Sequence, residues 1–428
     1  MKTPLKGGHA IRVLENGEEY FPSVFNAIRG ARHEVLVETF ILFEDKVGRA
    51  LHTVLVEVAR RGVRVELAID GYGSPDLSAE FYASLAQAGV CVHVFDPRPK
   101  WLGMRTNIFR RLHRKLVAID GAIAFCGGIN YSADHLSDWG PDAKQDYAVE
   151  IHGPIAADIR EFLDAAFKGR RPTLLAWWAK RRRDAVQQEA RHGARIAFVT
   201  RDNDGSPTDI ERQYRVAIRA AQREVIIANA YFFPGWRLLH DLRRAARRNV
   251  RVTLILQGQP DMPVVRWAAK MLYDDLLRAG VRIYEYCERP LHGKVACIDD
   301  EWATVGSSNL DPLSLALNLE ANVFVRDRAF NQELRSRLDR LIQHHCRDIG
   351  IDWVPRHKLW RATLGWLVFH FVRRYPAWAG YLPGHRSRFA SMVAEGMAAV
   401  EQATGPFSRA PTRSKAPTST DQSHHEIA

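Results

Sequence analysis

The feature that most constrains the fold of this chain is that it reads twice, and a repeat of this length fixes an architecture before any single motif does. The first half gives a buried strand over His33–Phe43, a helical pattern over Leu51–Arg61 and an alternating strand over Val63–Asp70. The second half gives the same series: a strand over Arg223–Phe233, a helix over Leu238–Arg248 and a strand over Val250–Leu256. Each half then carries a helix ending in Ala-Gly-Val, at Gly89 and at Gly280, where glycine supplies a left-handed cap before another short strand. Two strands joined by a tight turn follow, Leu112–Ile119 with Asp120-Gly121 and Leu291–Ile298 with Asp299-Asp300. Strands alternating with helices imply an α/β fold, here two pseudo-symmetric units, each a mixed β-sheet flanked by helices. The basic, polar run from Lys180 to Gly193 marks the join. The expected division is 1–185 and 186–355 for the two units, 356–386 for an aromatic and basic segment, and 387–428 for a disordered tail rich in Pro, Ser and Thr.

The chemistry lies inside the repeat. His113-Arg-Lys115-Leu-Val-Ala-Ile-Asp120 and His292-Gly-Lys294-Val-Ala-Cys-Ile-Asp299 share the pattern His-x-Lys-x4-Asp, and in both copies an Asn, Asn130 or Asn309, follows the His by 17 residues. One such pattern arises by chance in about one chain in twenty of this length, whereas two copies in one register of a repeat do not. Period two places His113 with Lys115, and His292 with Lys294, on one face of a strand. An imidazole beside an ammonium describes a phosphate site: the lysine neutralises non-bridging oxygens while the histidine attacks phosphorus or moves protons. Asn130 and Asn309 can add amide donors. The candidate catalytic set is therefore His113, Lys115, Asp120, His292, Lys294 and Asp299, although Asp120 and Asp299 have the opposite parity and fall at the turn, which suits ion-pair or structural duty. Two carboxylates are available to orient the imidazoles: Asp146, 33 residues after His113, and Glu320, 28 residues after His292. The copies differ where Gly127-Gly128 stands against Gly306-Ser307-Ser308, so Ser307 or Ser308 is either an extra hydroxyl donor or a turn residue.

The paired motifs resemble those of the phospholipase D superfamily. The stretches Glu38–Asp45, Asp70–Asp76, Asp96–Pro99, Gln145–Ala148, Ala228–Pro234 and Ser307–Leu315 are similar to the bacterial cardiolipin synthases, in particular the shorter B-type without N-terminal membrane spans. The likeness runs from about residue 8 to residue 385. It implies one active site at the seam between the halves, and phosphatidyl transfer without a metal or other cofactor. It also implies a phosphohistidine, with His113 by analogy the nucleophile and His292 the acid/base, and with Lys115, Lys294, Asn130 and Asn309 on the phosphoryl oxygens. The implied substrates are phospholipids, phosphatidylglycerol and phosphatidylethanolamine.

Composition bears on partners. The net charge of +12 suits any polyanion, nucleic acid and anionic membrane alike. The choice comes from Leu359–Pro383, where three Trp, two Tyr and two Phe stand among Arg361, Arg373 and Arg374, as in a membrane-interfacial segment. Trp101–Leu112 and Leu174–Arg183 mix apolar bulk with arginine in the same way. An anionic membrane surface is the expected partner and nucleic acid is not. The beginning of the sequence has no apolar signal region, no apolar run spans a bilayer, and the five cysteines form no C-x-x-C pair, so neither a disulfide scaffold nor a zinc site is expected. The expected location is peripheral, on the cytoplasmic face of the bacterial inner membrane.

Overall fold

In the computed structural model the described residues are 5–97 (except 75), 111–169, 193–202, 207–258, 272–350 (except 312, 313 and 316) and 389–392. The segments 359–383 and 174–183, most of 101–112, the join near residue 185 and nearly all of the tail lie outside them.

The first half contains β1 (Lys6–Glu15), α1 (Asn16–Arg29), β2 (Glu34–Thr39), α2 (Lys46–Arg60), β3 (Arg64–Asp70), α3 (Ala79–Gln87), β4 (Cys91–Phe95), β5 (Leu116–Ile119), β6 (Ile123–Gly127), β7 (Tyr147–His152) and α4 (Pro154–Phe167). The second contains β8 (Ala194–Arg201), α5 (Asp209–Ala220), β9 (Glu224–Asn229), α6 (Trp236–Arg247), β10 (Arg251–Gln257), β11 (Arg282–Tyr286), β12 (Lys294–Ile298), β13 (Trp302–Gly306), β14 (Glu320–Arg326), α7 (Arg328–His345) and β15 (Cys346–Asp348). A last strand, β16 (Phe389–Met392), pairs with β4. The hydrogen-bonded order is β15-β11-β10-β9-β12-β13-β14-β8-β1-β7-β6-β5-β2-β3-β4-β16. Read outwards from its centre, the order β8-β14-β13-β12-β9-β10-β11 repeats β1-β7-β6-β5-β2-β3-β4 element for element, with the outer three of these seven strands parallel to one another in each half and the rest antiparallel.

Local chemistry explains the elements. β2 and β9 are sandwiched between layers and read as apolar runs, not as alternation. In α2 the side chain of Asp45 caps the N–H groups of Val47 and Gly48, and Val47, Leu51, Val54, Leu55 and Val58 form its buried stripe. Gly48 is obligatory, since a Cβ there would lie 1.8 Å from the Phe43 carbonyl oxygen. The connection between β5 and β6 has positive φ at Asp120 (51°) and Gly121 (63°), the central residues of a tight turn that the Ala122 N–H closes on the Ile119 carbonyl oxygen at 3.0 Å.

Three apolar clusters fill the molecule. One lies under α1, α2 and α3, one under α5 and α6, and a third is shared: Val13, Leu116 and Tyr147 of the first half pack with Ile226, Leu291 and Val295 of the second, beneath α4 and α7. The halves therefore have a common core. Between them β1 meets β8 through only two register pairs, Lys6 with Ile196 and His9 with Ala194. His9 stitches this join: its Nδ1 is 3.0 Å from the Ala194 carbonyl oxygen, and its Nε2 accepts from the N–H of Ile155 at 3.0 Å.

Candidate active site

Both motifs reach this seam. The strands begin later than the pattern predicts: Leu116 opens β5 and Lys294 opens β12, so His113, Lys115 and His292 lie in the lead-in to their strands. Bridges of single residues hold these lead-ins, and they cross from one half to the other. Leu112 pairs with Leu319, and Leu291 pairs with Gln145. The His113 N–H donates to the Leu319 carbonyl at 3.0 Å, and the His292 N–H donates to the Gln145 carbonyl at 2.8 Å.

The side chains follow the same exchange. Taken with the histidine before it in the chain, Asp146 would serve His113 and Glu320 would serve His292. The structure reverses this: His292 Nδ1 is 2.6 Å from Asp146 Oδ2, and His113 Nδ1 is 3.1 Å from Glu320 Oε2. The physical reason is the backbone pairing, because Asp146 and Glu320 directly follow the two carbonyls that grip the opposite histidine. Both carboxylates are fully buried, whereas His113 and His292 remain 13% and 18% exposed. With Nδ1 taken by a carboxylate, the reactive nitrogen of each ring is Nε2.

Burial, reinforced by Lys115 and Lys294, lowers His113 and drives His292 well below the ordinary histidine value, which favours the neutral form of each ring. Lys115 is pushed down to about 7 and Lys294 to about 8, first by burial, with Lys294 and Lys144 respectively adding repulsion. Each ammonium rests on the carbonyl oxygen of its own motif's histidine, at 2.7 Å for Lys115. Two buried lysines held this way suit an anionic group, whose charge favours their protonated form. Asp146 is raised by burial, against the pull of Lys294. For Glu320 burial also acts upwards, but His113, Lys115 and the hydroxyl of Ser307 outweigh it and leave it below the usual carboxylate range.

The remaining candidates separate. Ser307 Oγ donates to Glu320 Oε2 at 2.5 Å, while among the described residues Ser308 Oγ meets only the Asn309 carbonyl, at 3.4 Å. Asn130 Oδ1 accepts from the N–H of Ile41 at 3.2 Å, which leaves its NH2 for another partner. The side-chain oxygen of Asn309 is buried with no partner among the described residues, and turning the amide would present its NH2 instead. Asp120 and Asp299 sit far from this chemistry. Asp120 accepts the N–H groups of Arg32, His33 and Glu34, and Asp299 those of Gln222, Arg223 and Glu224, all at 2.8–3.0 Å. Each anchors the start of the neighbouring antiparallel strand, Asp120 that of β2 and Asp299 that of β9.

Two residues at the site escaped the sequence reading. The Phe40 ring is 5.0 Å from the His113 ring and 5.3 Å from Lys115 Nζ. His135, fully buried after Asn130, lies edge-on to His292 with ring centroids 5.7 Å apart. Aligning the two copies on Asn130 and Asn309 sets His135 against Ser314, and that mismatch is the signal that could have found it. Two trios of possible metal donors occur among the described residues, Glu66–Cys91–His93 and His135–Asp146–His292. Within them His93 bonds Glu66 at 2.8 Å and His292 bonds Asp146 at 2.6 Å, and neither trio is assigned as a ligand set.

The family model described as "Cardiolipin synthase, PLD-like domain" matches residues 24–168 and 214–342, one match in each half. The chain belongs to this family. It is 54% identical over 392 residues to cardiolipin synthase B of Salmonella typhimurium, covering 92% of this chain and 94% of that one. It is 53% identical over 393 residues to cardiolipin synthase B of Escherichia coli, with the same coverage. Among solved structures, phosphatidylserine synthase of Haemophilus influenzae superposes with a TM-score of 0.64 at 14% identity, over 89% of this chain and 97% of that one, and so shares the fold. The two matched segments each contain one of the paired motifs. No helix among the described residues is long and apolar enough to cross a membrane.

Proposed function

We propose that this protein is a cardiolipin synthase that moves a phosphatidyl group from one phospholipid, phosphatidylglycerol or phosphatidylethanolamine, to the free hydroxyl of phosphatidylglycerol. The observation that carries this reading is the pair of imidazoles, each tied through Nδ1 to a buried carboxylate of the opposite half, beside two buried lysines. The phosphodiester binds between Lys115 and Lys294, with amide donors from Asn130 and Asn309, and its charge offsets the repulsion that keeps His292 neutral. His113 Nε2 attacks phosphorus, the bond to the headgroup oxygen breaks, and His292 Nε2–H gives its proton to that oxygen. The incoming hydroxyl then loses its proton to His292 and attacks the phosphohistidine, and the P–N bond breaks. Glu320 and Asp146 stabilise the positive charge that each ring carries in turn, and Ser307 supports Glu320.

The protein works, on this reading, on the cytoplasmic face of the inner membrane, with the basic and aromatic stretch 356–386 at the lipid surface and the join between units near residue 185. Supporting this are the +12 charge and the aromatic content of that stretch. The test is to incubate the protein with labelled phosphatidylglycerol in mixed micelles, with and without phosphatidylethanolamine, and to separate the lipids. Cardiolipin is the expected product. Phosphatidic acid alone would show that water is the acceptor and overturn the synthase reading.

A further inference from the structure

His135 is the buried ionisable group of the site that this mechanism leaves unused. Its tautomer follows from its neighbours. Nε2 accepts the N–H of Asn130 at 3.2 Å, so it carries a lone pair, and the ring proton of the neutral imidazole belongs on Nδ1. Nδ1 has no hydrogen-bond partner among the described residues. It lies 4.0 Å from Asp146 Oδ2, the same oxygen that His292 Nδ1 approaches to 2.6 Å. A second ring proton would have to sit on Nε2 and point at the N–H of Asn130. That clash, added to full burial, keeps the ring neutral, and His135 is pushed down to about 3 by burial together with Lys144 and His292, against the pull of Asp146. A fixed N–H dipole therefore stands over one oxygen of the carboxylate that serves His292. Among the described residues the opposite half has no such ring, and Glu320 takes the hydroxyl of Ser307 instead.

We propose that His135 is a positioning residue: through its Nδ1–H dipole it holds Asp146 as the anion and weakens the grip of that anion on the His292 imidazolium, so that His292 releases its Nε2 proton within the transfer step. The proposal rests on the two-histidine transfer chemistry above. It makes the two motif histidines unequal by construction, since one is tuned by a hydroxyl and the other by a permanently neutral imidazole. The remaining charged and titratable groups facing the Asp146–His292 pair are Lys294, Lys115, Lys144 and His113, with Asp134 beside His135 and paired to Lys144. All of them stay in place in the variants below.

Two substitutions separate the two ends of the ring. His135→Gln keeps an acceptor where Nε2 meets the Asn130 N–H and removes the donor facing Asp146. His135→Asn keeps an amide donor near the Nδ1 position and removes the acceptor. With the full chain and phosphatidylglycerol micelles, His135→Gln is expected to leave KM within about twofold, to lower kcat about tenfold and to move one limb of the pH–rate profile up by about half a unit or more. His135→Asn is expected to restore the wild-type profile. Unshifted limbs in both variants, whether or not kcat falls, would overturn the proposal, because a packing role changes amplitude and not titration. If the variants fail to fold, side-chain nitrogen NMR of the wild-type protein decides: a His135 ring protonated on Nδ1 alone from pH 5 to 9 supports it, and a ring that titrates in that range overturns it. A wild-type protein that releases only phosphatidic acid would count against the synthase reading, and the same profiles would then be measured on that hydrolysis.

Discussion

The two halves of this molecule solve one problem with different side chains. In both, a carbonyl and the carboxylate after it reach across the seam and fix a histidine, Gln145–Asp146 on His292 and Leu319–Glu320 on His113. The support behind them diverges. Glu320 is backed by Ser307, whereas the equivalent Gly128 could not be serine, since a Cβ there would lie 2.4 Å from Asp146 Oδ1. The first motif is led in by charge, with Arg111 bonded to Asp70 and Asp96 at 3.2 Å and Asp70 accepting the Leu112 N–H. The second is led in by a neutral amide, as Gln257 accepts the Leu291 N–H at 2.7 Å. One carboxylate ends up raised and the other lowered. Backbone symmetry fixes where the reacting groups stand, and a few unsymmetrical side chains fix what each of them does.

The exchange across the seam is the part of this comparison whose loss costs most. Asp146→Asn and Glu320→Gln preserve shape but cannot stabilise an imidazolium, and each is expected to lower kcat by about a thousandfold. Single-turnover kinetics would show whether either spares the first step; a wild-type rate in one variant would mean that only one histidine needs its carboxylate. Next in size is the attempt to make the halves alike. Gly128→Ser should displace Asp146 and cost about a hundredfold in kcat, against about tenfold for Ser307→Gly, which deletes one charged hydrogen bond. Equal losses would remove the matching of Gly to Asp and Ser to Glu.

Stability should move the other way from activity at the lysines. Lys115 titrates at about 7 in the fold against 10.5 for an ordinary lysine. Below pH 7 it is charged in both states and its full burial penalty is present. Between 7 and 10.5 the folded state sheds the proton first, so stability rises with pH across that window. Lys115→Met should therefore be inactive but more stable than wild type at pH 6, by on the order of 1–3 kcal/mol, with the gain fading towards pH 10. Lys294→Met should gain less, since Lys294 is lowered only to about 8. Thermal unfolding at pH 6 and pH 9.5 checks both the sign and the order. The smallest difference is expected at the turns: Asp120→Ala and Asp299→Ala each orphan three backbone N–H groups and should cost the same, about 1–3 kcal/mol, with kcat unchanged. A loss of kcat in the folded Asp299 variant alone would break the equivalence.

The sequence was legible where the physics is local. The β2, β3, β9 and β10 strands, the Asp turns and the spacing of His, Lys and Asn follow from periodicity and parity. The crossing of Asp146 and Glu320 does not, because nothing in the distance along a chain records which of two similar halves a carboxylate will face. His135 is hidden for a related reason, as an isolated histidine among Ser132, Ala133 and Asp134 gains meaning only once Asp146 and His292 are brought beside it. β1 was missed because Lys6–Glu15 carries Gly7, Gly8 and Arg12 and no strict alternation, and its pairing comes from neighbours on both sides.

That central strand has a kinetic meaning. β1 is made before its partners, residues 147–152 and 194–196, so on a ribosome adding roughly 5–20 residues per second it waits about 10–40 s for a place. An apolar strand left unpaired for that long would invite aggregation. The sparse pattern that conceals β1 from inspection, with Lys6, His9, Arg12 and Glu15 along its length, is what lets it remain solvated until both halves exist to close around it.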